Sequence, residues 1–135
     1  MIKLKRVYDP VADDDGTRFL VERLWPRGIK KSDLQMQAWL KDVAPSSSLR
    51  QWFSHDPKKW NDFRERYFRE LRSNVRALEP LMAAAKQGTV TLLYSSRDSE
   101  HNNAVALEEY LRKRLRRRTS PKRAITGSRP RRLIQ

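Results

Sequence analysis

The sequence predicts a small α/β protein: a mainly parallel three-stranded sheet with flanking helices and a basic C-terminal extension. Three observations point there. Short apolar or alternating runs at Ile2–Val7, Arg18–Leu24 and Val90–Tyr94 read as strands. About sixty residues of helical periodicity separate the second run from the third. All 16 acids lie at or before Glu109, while the stretch from Arg112 to Gln135 holds none. A chain of 135 residues supports one domain with one modest core, which excludes a multidomain enzyme.

Taken in order, Ile2, Leu4 and Arg6 alternate with Lys3, Lys5 and Val7 until Asp9-Pro10 stops the strand. Asp13-Asp14-Asp15-Gly16 is a turn signal, and the second strand follows it until Pro26 and Gly28. The link from Asp9 to Gly16 is short enough for a hairpin, so the direction of the first strand stays open. Trp39, Leu40 and Val43 suggest a short helix ending at Pro45, and Ser46 caps the next one, with Leu49, Trp52 and Phe53. Asp56-Pro57 starts a longer helix whose Trp60, Phe63, Tyr67 and Leu71 share one face, the core face. A further helix carries Leu78, Leu81, Met82 and Ala85 up to Gly88. Val90–Tyr94 is apolar and β-branched enough to be a central strand buried on both faces. After it, Ala104, Leu107, Leu111 and Leu115 mark a last helix that runs to Ser120-Pro121. The domain is therefore expected over residues 1–118, with 119–135 a basic, flexible tail.

The charge is as uneven as the hydrophobicity. Nineteen of the 30 Lys and Arg lie at or before Leu111 with all 16 acids, so the body carries +3 and the last 24 residues +11. Such a segment, with few apolar residues, does not fold alone and reads as a polyanion-binding extension carried by Arg112, Lys113, Arg114, Arg116, Arg117, Arg118, Lys122 and Arg123. With no cysteine, disulfides, thiolate catalysis and cysteine zinc sites are excluded; with two His, no transition-metal site is expected either. Four scattered glycines form neither a P-loop nor a dinucleotide fingerprint, and no cofactor is expected. The charged N-terminus and the lack of a long apolar run predict a cytoplasmic protein with no membrane partner.

In open α/β sheets ligands sit beyond the carboxyl ends of the strands, where loop N–H groups and helix N-termini converge. The second strand delivers Arg23, Trp25 and Arg27 to that rim, and the third delivers Ser95, Ser96, Arg97, Asp98 and His101. Tyr8 and Asp9 join them if the first strand is parallel. Guanidinium forks suit phosphates and carboxylates, so Arg23, Arg27 and Arg97 are candidates to hold an anion, with Tyr8, Asp9 and Ser95 beside them. Arg23 could equally be a structural partner of Asp9 or Asp98. His101 and Asp98 are the candidate proton carriers, although Asp98 reads more readily as a helix cap and His101 as a hydrogen-bonding residue. A Ser95 nucleophile has no Gly-x-Ser-x-Gly elbow behind it. The four Trp read mainly as core, Trp25 excepted, and Asp62–Arg66 and Glu65–Arg69 as solvated helix pairs.

Several segments together resemble the YeaO-like family, the domain of unknown function 488. They are Lys5-Arg6-Val7-Tyr8-Asp9, Val21-Glu22-Arg23-Leu24-Trp25-Pro26-Arg27-Gly28, Trp39-Leu40 with Ala44-Pro45-Ser46, Leu49-Arg50-Gln51-Trp52-Phe53 and Val90–Tyr94 followed by Asp98 and His101-Asn102. The resemblance covers roughly residues 2–111 and implies a fold but no reaction, leaving the tail outside. Longer relatives carry a similar strand ending in Asp-Val-Arg-x-x-Pro and a Cys-His-Arg after the last strand. Glu22-Arg23 to Pro26 is similar to the first, but Asn102-Asn103-Ala104 stands where the second would be, so the thiol is missing. The sequence thus predicts an anion pocket for a small or phosphorylated ligand, with nucleic acid bound through the tail. The alternatives are a nucleic-acid-associated module without chemistry, or a minor enzyme using Arg and His101 or Asp98.

Overall fold

The computed structural model describes residues 1–119, with side chains through Arg117. Its strands are β1 (Ile2–Arg6), β2 (Thr17–Leu20), β3 (Ala38–Trp39) and β4 (Val90–Tyr94). The α-helices are α1 (Ser47–Phe53), α2 (Trp60–Arg72), α3 (Glu79–Gln87) and α4 (Asn103–Thr119), with short 3₁₀ turns between them. The sheet runs β1-β4-β2-β3 and every pair is parallel.

β4 is central, and it alone has every residue buried: all five are apolar, aromatic or β-branched. It pairs with β1 from Ile2↔Val90 to Arg6↔Tyr94 and with β2 from Thr17↔Val90 to Leu20↔Leu93. This settles the direction of β1: the link after it is a crossover, not a hairpin. It returns across the sheet face, where Lys5 Nζ donates to Pro10 O (2.6 Å) and to Asp15, and it ends at Gly16. Gly16 (φ 65°) is required here, because a Cβ on it would stand 2.0 Å from Thr89 O.

The sheet has four strands, not the expected three. β3 occupies the segment read as the start of a helix; two residues are too few to show a period, and Trp39-Leu40 fits either reading. What fixes it as a strand is backbone pairing with β2: Gln37 N donates to Arg18 O (2.6 Å) and Leu40 N to Leu20 O (2.8 Å). The residues that follow form only a 3₁₀ turn, Lys41–Val43.

Helix starts follow their caps. Ser46 Oγ accepts from Leu49 N, and Asp56 Oδ1 accepts from Lys58 N, so the Asp-Pro signal opens the 3₁₀ turn Pro57–Lys59 that leads into α2. Phe63, Tyr67 and Leu71 form the buried face of α2. The expected pairs Asp62–Arg66 and Glu65–Arg69 do not form; Arg66 lies over the Trp52 ring at 4.2 Å and Arg64 pairs with Glu109 on α4.

All four helices contribute to one core, with Ile2, Phe19, Leu92 and Tyr94 from the same face of the sheet. On the other face Val7, Leu20, Leu34 and Leu93 form a small cluster with Trp25, Ile29, Met36 and Trp39, supplied by loops rather than helices. Helices thus cover one face of the sheet and loops the other, the segment from Glu22 to Gln37 running from the carboxyl end of β2 back to the amino end, where Gln37 N meets Arg18 O. No helix among the described residues is long and apolar enough to cross a membrane.

Candidate functional site

β2 leaves the ladder before its expected end at Leu24. Val21 N makes a last backbone bond to Leu93 O (3.2 Å), and the next contact to β4 comes from a side chain: Glu22 accepts both the amide N–H and the hydroxyl of Ser95. The two strands diverge there, and a cavity of about 690 Å³ opens between the segments that leave them. Its wall includes Tyr8, Glu22, Arg23, Arg27, Ser95, Arg97 and Asp98. Pro45, Phe53 and Phe63 supply a buried apolar side. The size lies in the usual range for small-molecule pockets, about 300–1,000 Å³.

The predicted residues divide by what they already hold. Arg23 pairs with neither Asp9 nor Asp98; its guanidinium donates to Pro45 O (2.9 Å) and Ala44 O (3.1 Å), clamping the turn before α1. Tyr8 Oη donates to Arg27 O (2.8 Å), tying the loop after β1 to the loop after β2. Asp9 lies outside the cavity and accepts from Arg6 N (2.9 Å). Arg27 and Arg97 line the cavity, are exposed, and have no side-chain partner among the described residues. Arg50, exposed on α1, joins them in the same condition.

Asp98 caps, but not the helix. Its Oδ1 accepts from Glu100 N (2.9 Å) and His101 N (3.0 Å), and its Oδ2 meets His101 Nδ1 at 3.0 Å. The Glu100 N–H and the His101 ring hold the Asp98 carboxyl below its ordinary range. The cap of α4 is Asn102, whose Oδ1 accepts from Val105 N (3.0 Å) and which is 3% exposed. His101 turns toward Trp60, ring centroids 5.4 Å apart, and does not line the cavity. The two expected proton carriers thus hold each other beside the pocket.

Sequence reasoning passed over Glu22, Arg50 and Arg6. Arg6 donates to Ser95 O (3.1 Å) and Ser96 O (3.0 Å) and so shapes the loop after β4. The available signal for Glu22 was its place next to Arg23 at a strand end, one residue beyond the last ladder position.

In the basic segment, Arg112 bonds Glu108 (2.8 Å) and Ile2 O (2.9 Å), and Lys113 pairs with Glu109 (3.3 Å). These two fasten α4 to itself and to β1. Arg114, Arg116 and Arg117 lie on the last turns of α4. The side chain of Arg118, together with Lys122, Arg123 and the rest of 120–135, lies outside the described residues.

Fold and site together define a small two-layer α/β protein with a cavity where its parallel strands end. A family model described as "Inactive DUF488-N3 subclade" matches residues 1–130, and the chain belongs to this DUF488 family. The match runs past Leu111, further than the motifs alone reached. The chain is 44% identical over 111 residues to "Uncharacterized protein YeaO" of Escherichia coli, covering 82% of this chain and 96% of that protein. It is 38% identical over 110 residues to "Uncharacterized protein Rv3073c" of Mycobacterium tuberculosis, covering 82% and 92% respectively. No solved structure matches it significantly.

Proposed function

We propose that this chain is a binding protein without catalysis, whose pocket at the strand ends takes a small anionic or phosphorylated ligand. The observation that carries the reading is the pair Arg27 and Arg97, two cations from different loops that line one cavity and whose guanidinium groups meet no partner among the described residues. Guanidinium groups left open on a concave wall recognise carboxylate and phosphate oxygens. The absence of chemistry is supported by Asn102-Asn103-Ala104 in the place of a Cys-His-Arg element, by the mutual pairing of Asp98 and His101, and by the family's own description as inactive. Backbone NMR shifts during a phosphate titration test it. At millimolar phosphate the amides around Arg27 and from Ser95 to Asp98 should move; if they stay still while α4 moves, the pocket reading fails.

The charge of +11 after Leu111 favours a second activity, binding of nucleic-acid phosphates in a cytoplasmic setting. A chain truncated after Thr119, which leaves α4 whole and removes five of the eleven cations, should melt as the full chain does and lose about half of the log–log salt slope with which it binds random-sequence DNA and RNA. An unchanged affinity and salt slope would move that surface to the folded body.

A further inference from the structure

The pocket is not uniformly cationic. Glu22 lies on its wall, and one carboxylate oxygen, Oε1, takes both donors of Ser95. Its other oxygen, Oε2, has no protein donor among the described residues. The neighbouring Arg23 gives it no hydrogen bond, its guanidinium donating instead to Ala44 O and Pro45 O. An acceptor left open on the wall of a cavity calls for a donor from water or from a ligand. Inorganic phosphate answers Arg27 and Arg97 but brings like charge toward Glu22. The same cavity is also walled by Pro45, Phe53 and Phe63, a side suited to a flat apolar body.

Resting on the pocket reading above, we propose that the cavity takes a two-ended ligand of the nucleoside monophosphate class. Its base has a donor edge of guanine type, N–H beside NH₂. That edge donates to Glu22 Oε2, the ring lies along the apolar side, and the phosphate meets Arg27 and Arg97. A carboxylate selects such an edge because adenine presents an acceptor where guanine presents N–H, so the wrong base sets acceptor against acceptor. Trp25, half-buried and packed edge-on against Trp39 at 5.3 Å, walls the same cavity beside Arg27.

Calorimetric titration of the full chain with four probes tests this, with NMR shifts locating each at the pocket or the tail. Guanosine 5′-monophosphate should bind at the pocket at least about ten-fold more tightly than adenosine 5′-monophosphate or inorganic phosphate, the effect of one charge-assisted hydrogen bond. Glu22→Gln should erase the preference between the two nucleotides. Arg27→Ala and Arg97→Ala, at exposed positions, should weaken both nucleotides and leave the fourth probe, guanosine, unchanged. If phosphate binds at the pocket but the nucleotides bind no more tightly, or the base preference survives Glu22→Gln, the two-ended ligand is wrong and the anion reading stands. If neither phosphate nor nucleotide shifts pocket resonances, both fall.

Discussion

The two ends of the sheet handle charge in opposite ways. At the amino end Asp15, 1% exposed, sits between Lys5 (3.1 Å) and Arg18 (2.6 Å) and also accepts from Ala12 N (3.1 Å). Arg18 is 6% exposed and also donates from Nε to Gln35 O (2.8 Å). Every charge in that cluster is answered by the chain. At the carboxyl end Arg27, Arg50 and Arg97 are answered by nothing among the described residues, and Glu22 is answered on one oxygen only. A closed cluster is a structural device, since unmatched buried charge would be costly; an open one costs little while solvated and is free to meet a ligand.

The largest expected effect is at the closed end. Asp15→Asn removes the charge that Lys5 and Arg18 share and leaves a buried guanidinium unmatched, so unfolding free energy should fall by about 3–5 kcal/mol. Urea denaturation followed by Trp fluorescence measures it. A loss below about 1 kcal/mol would mean the two ends do not differ in kind.

Acid sharpens the same contrast. Burial pushes the Asp15 carboxyl up, but the Ala12 N–H, Lys5 and Arg18 together outweigh it and hold the pKa down to about 2, from 3.8. A carboxyl lowered on folding stabilises the native state above its unfolded pKa and loses that contribution as pH falls through its folded one. Stability should therefore drop between about pH 4 and pH 2, and urea midpoints across that window should decline less steeply in Asp15→Asn than in the parent chain.

How far each end could be read from sequence follows from the same physics. The Asp13-Asp14-Asp15-Gly16 turn was legible because turn chemistry is local, whereas the ion cluster it builds needs Lys5, ten residues away, and was not. Val90–Tyr94 announced itself as the central strand because burial on both faces leaves an unbroken apolar run. β3 was silent because two residues carry no period. At the carboxyl end, position was legible: Tyr8, Arg23, Arg27, Ser95, Arg97 and Asp98 do line one cavity. Their partners were not. Nothing in the sequence distinguishes Arg23, spent on two carbonyls brought close by the turn before α1, from Arg27, whose guanidinium has no partner among the described residues.

The smallest expected effect on stability belongs to the open end. Arg27→Ala combined with Arg97→Ala removes two exposed side chains that hold no partner among the described residues, so without added anion the unfolding free energy should stay within about 0.5 kcal/mol of the parent. The two substitutions should even relieve a little mutual repulsion in a pocket that Arg23 and Arg50 also line. Phosphate then separates structure from binding. At ten times its dissociation constant, a ligand that binds only the folded chain stabilises it by about 1.4 kcal/mol, since the gain is RT ln(1 + [L]/Kd). The parent should gain that amount as phosphate is raised, and the double variant should gain much less at the same ionic strength. Chloride matched for ionic strength controls for screening of the net charge of +14, which stabilises both chains alike. An equal phosphate gain in the double variant would place the anion on other cations, such as those of α4, and leave the open arginines of the strand ends without the role assigned to them.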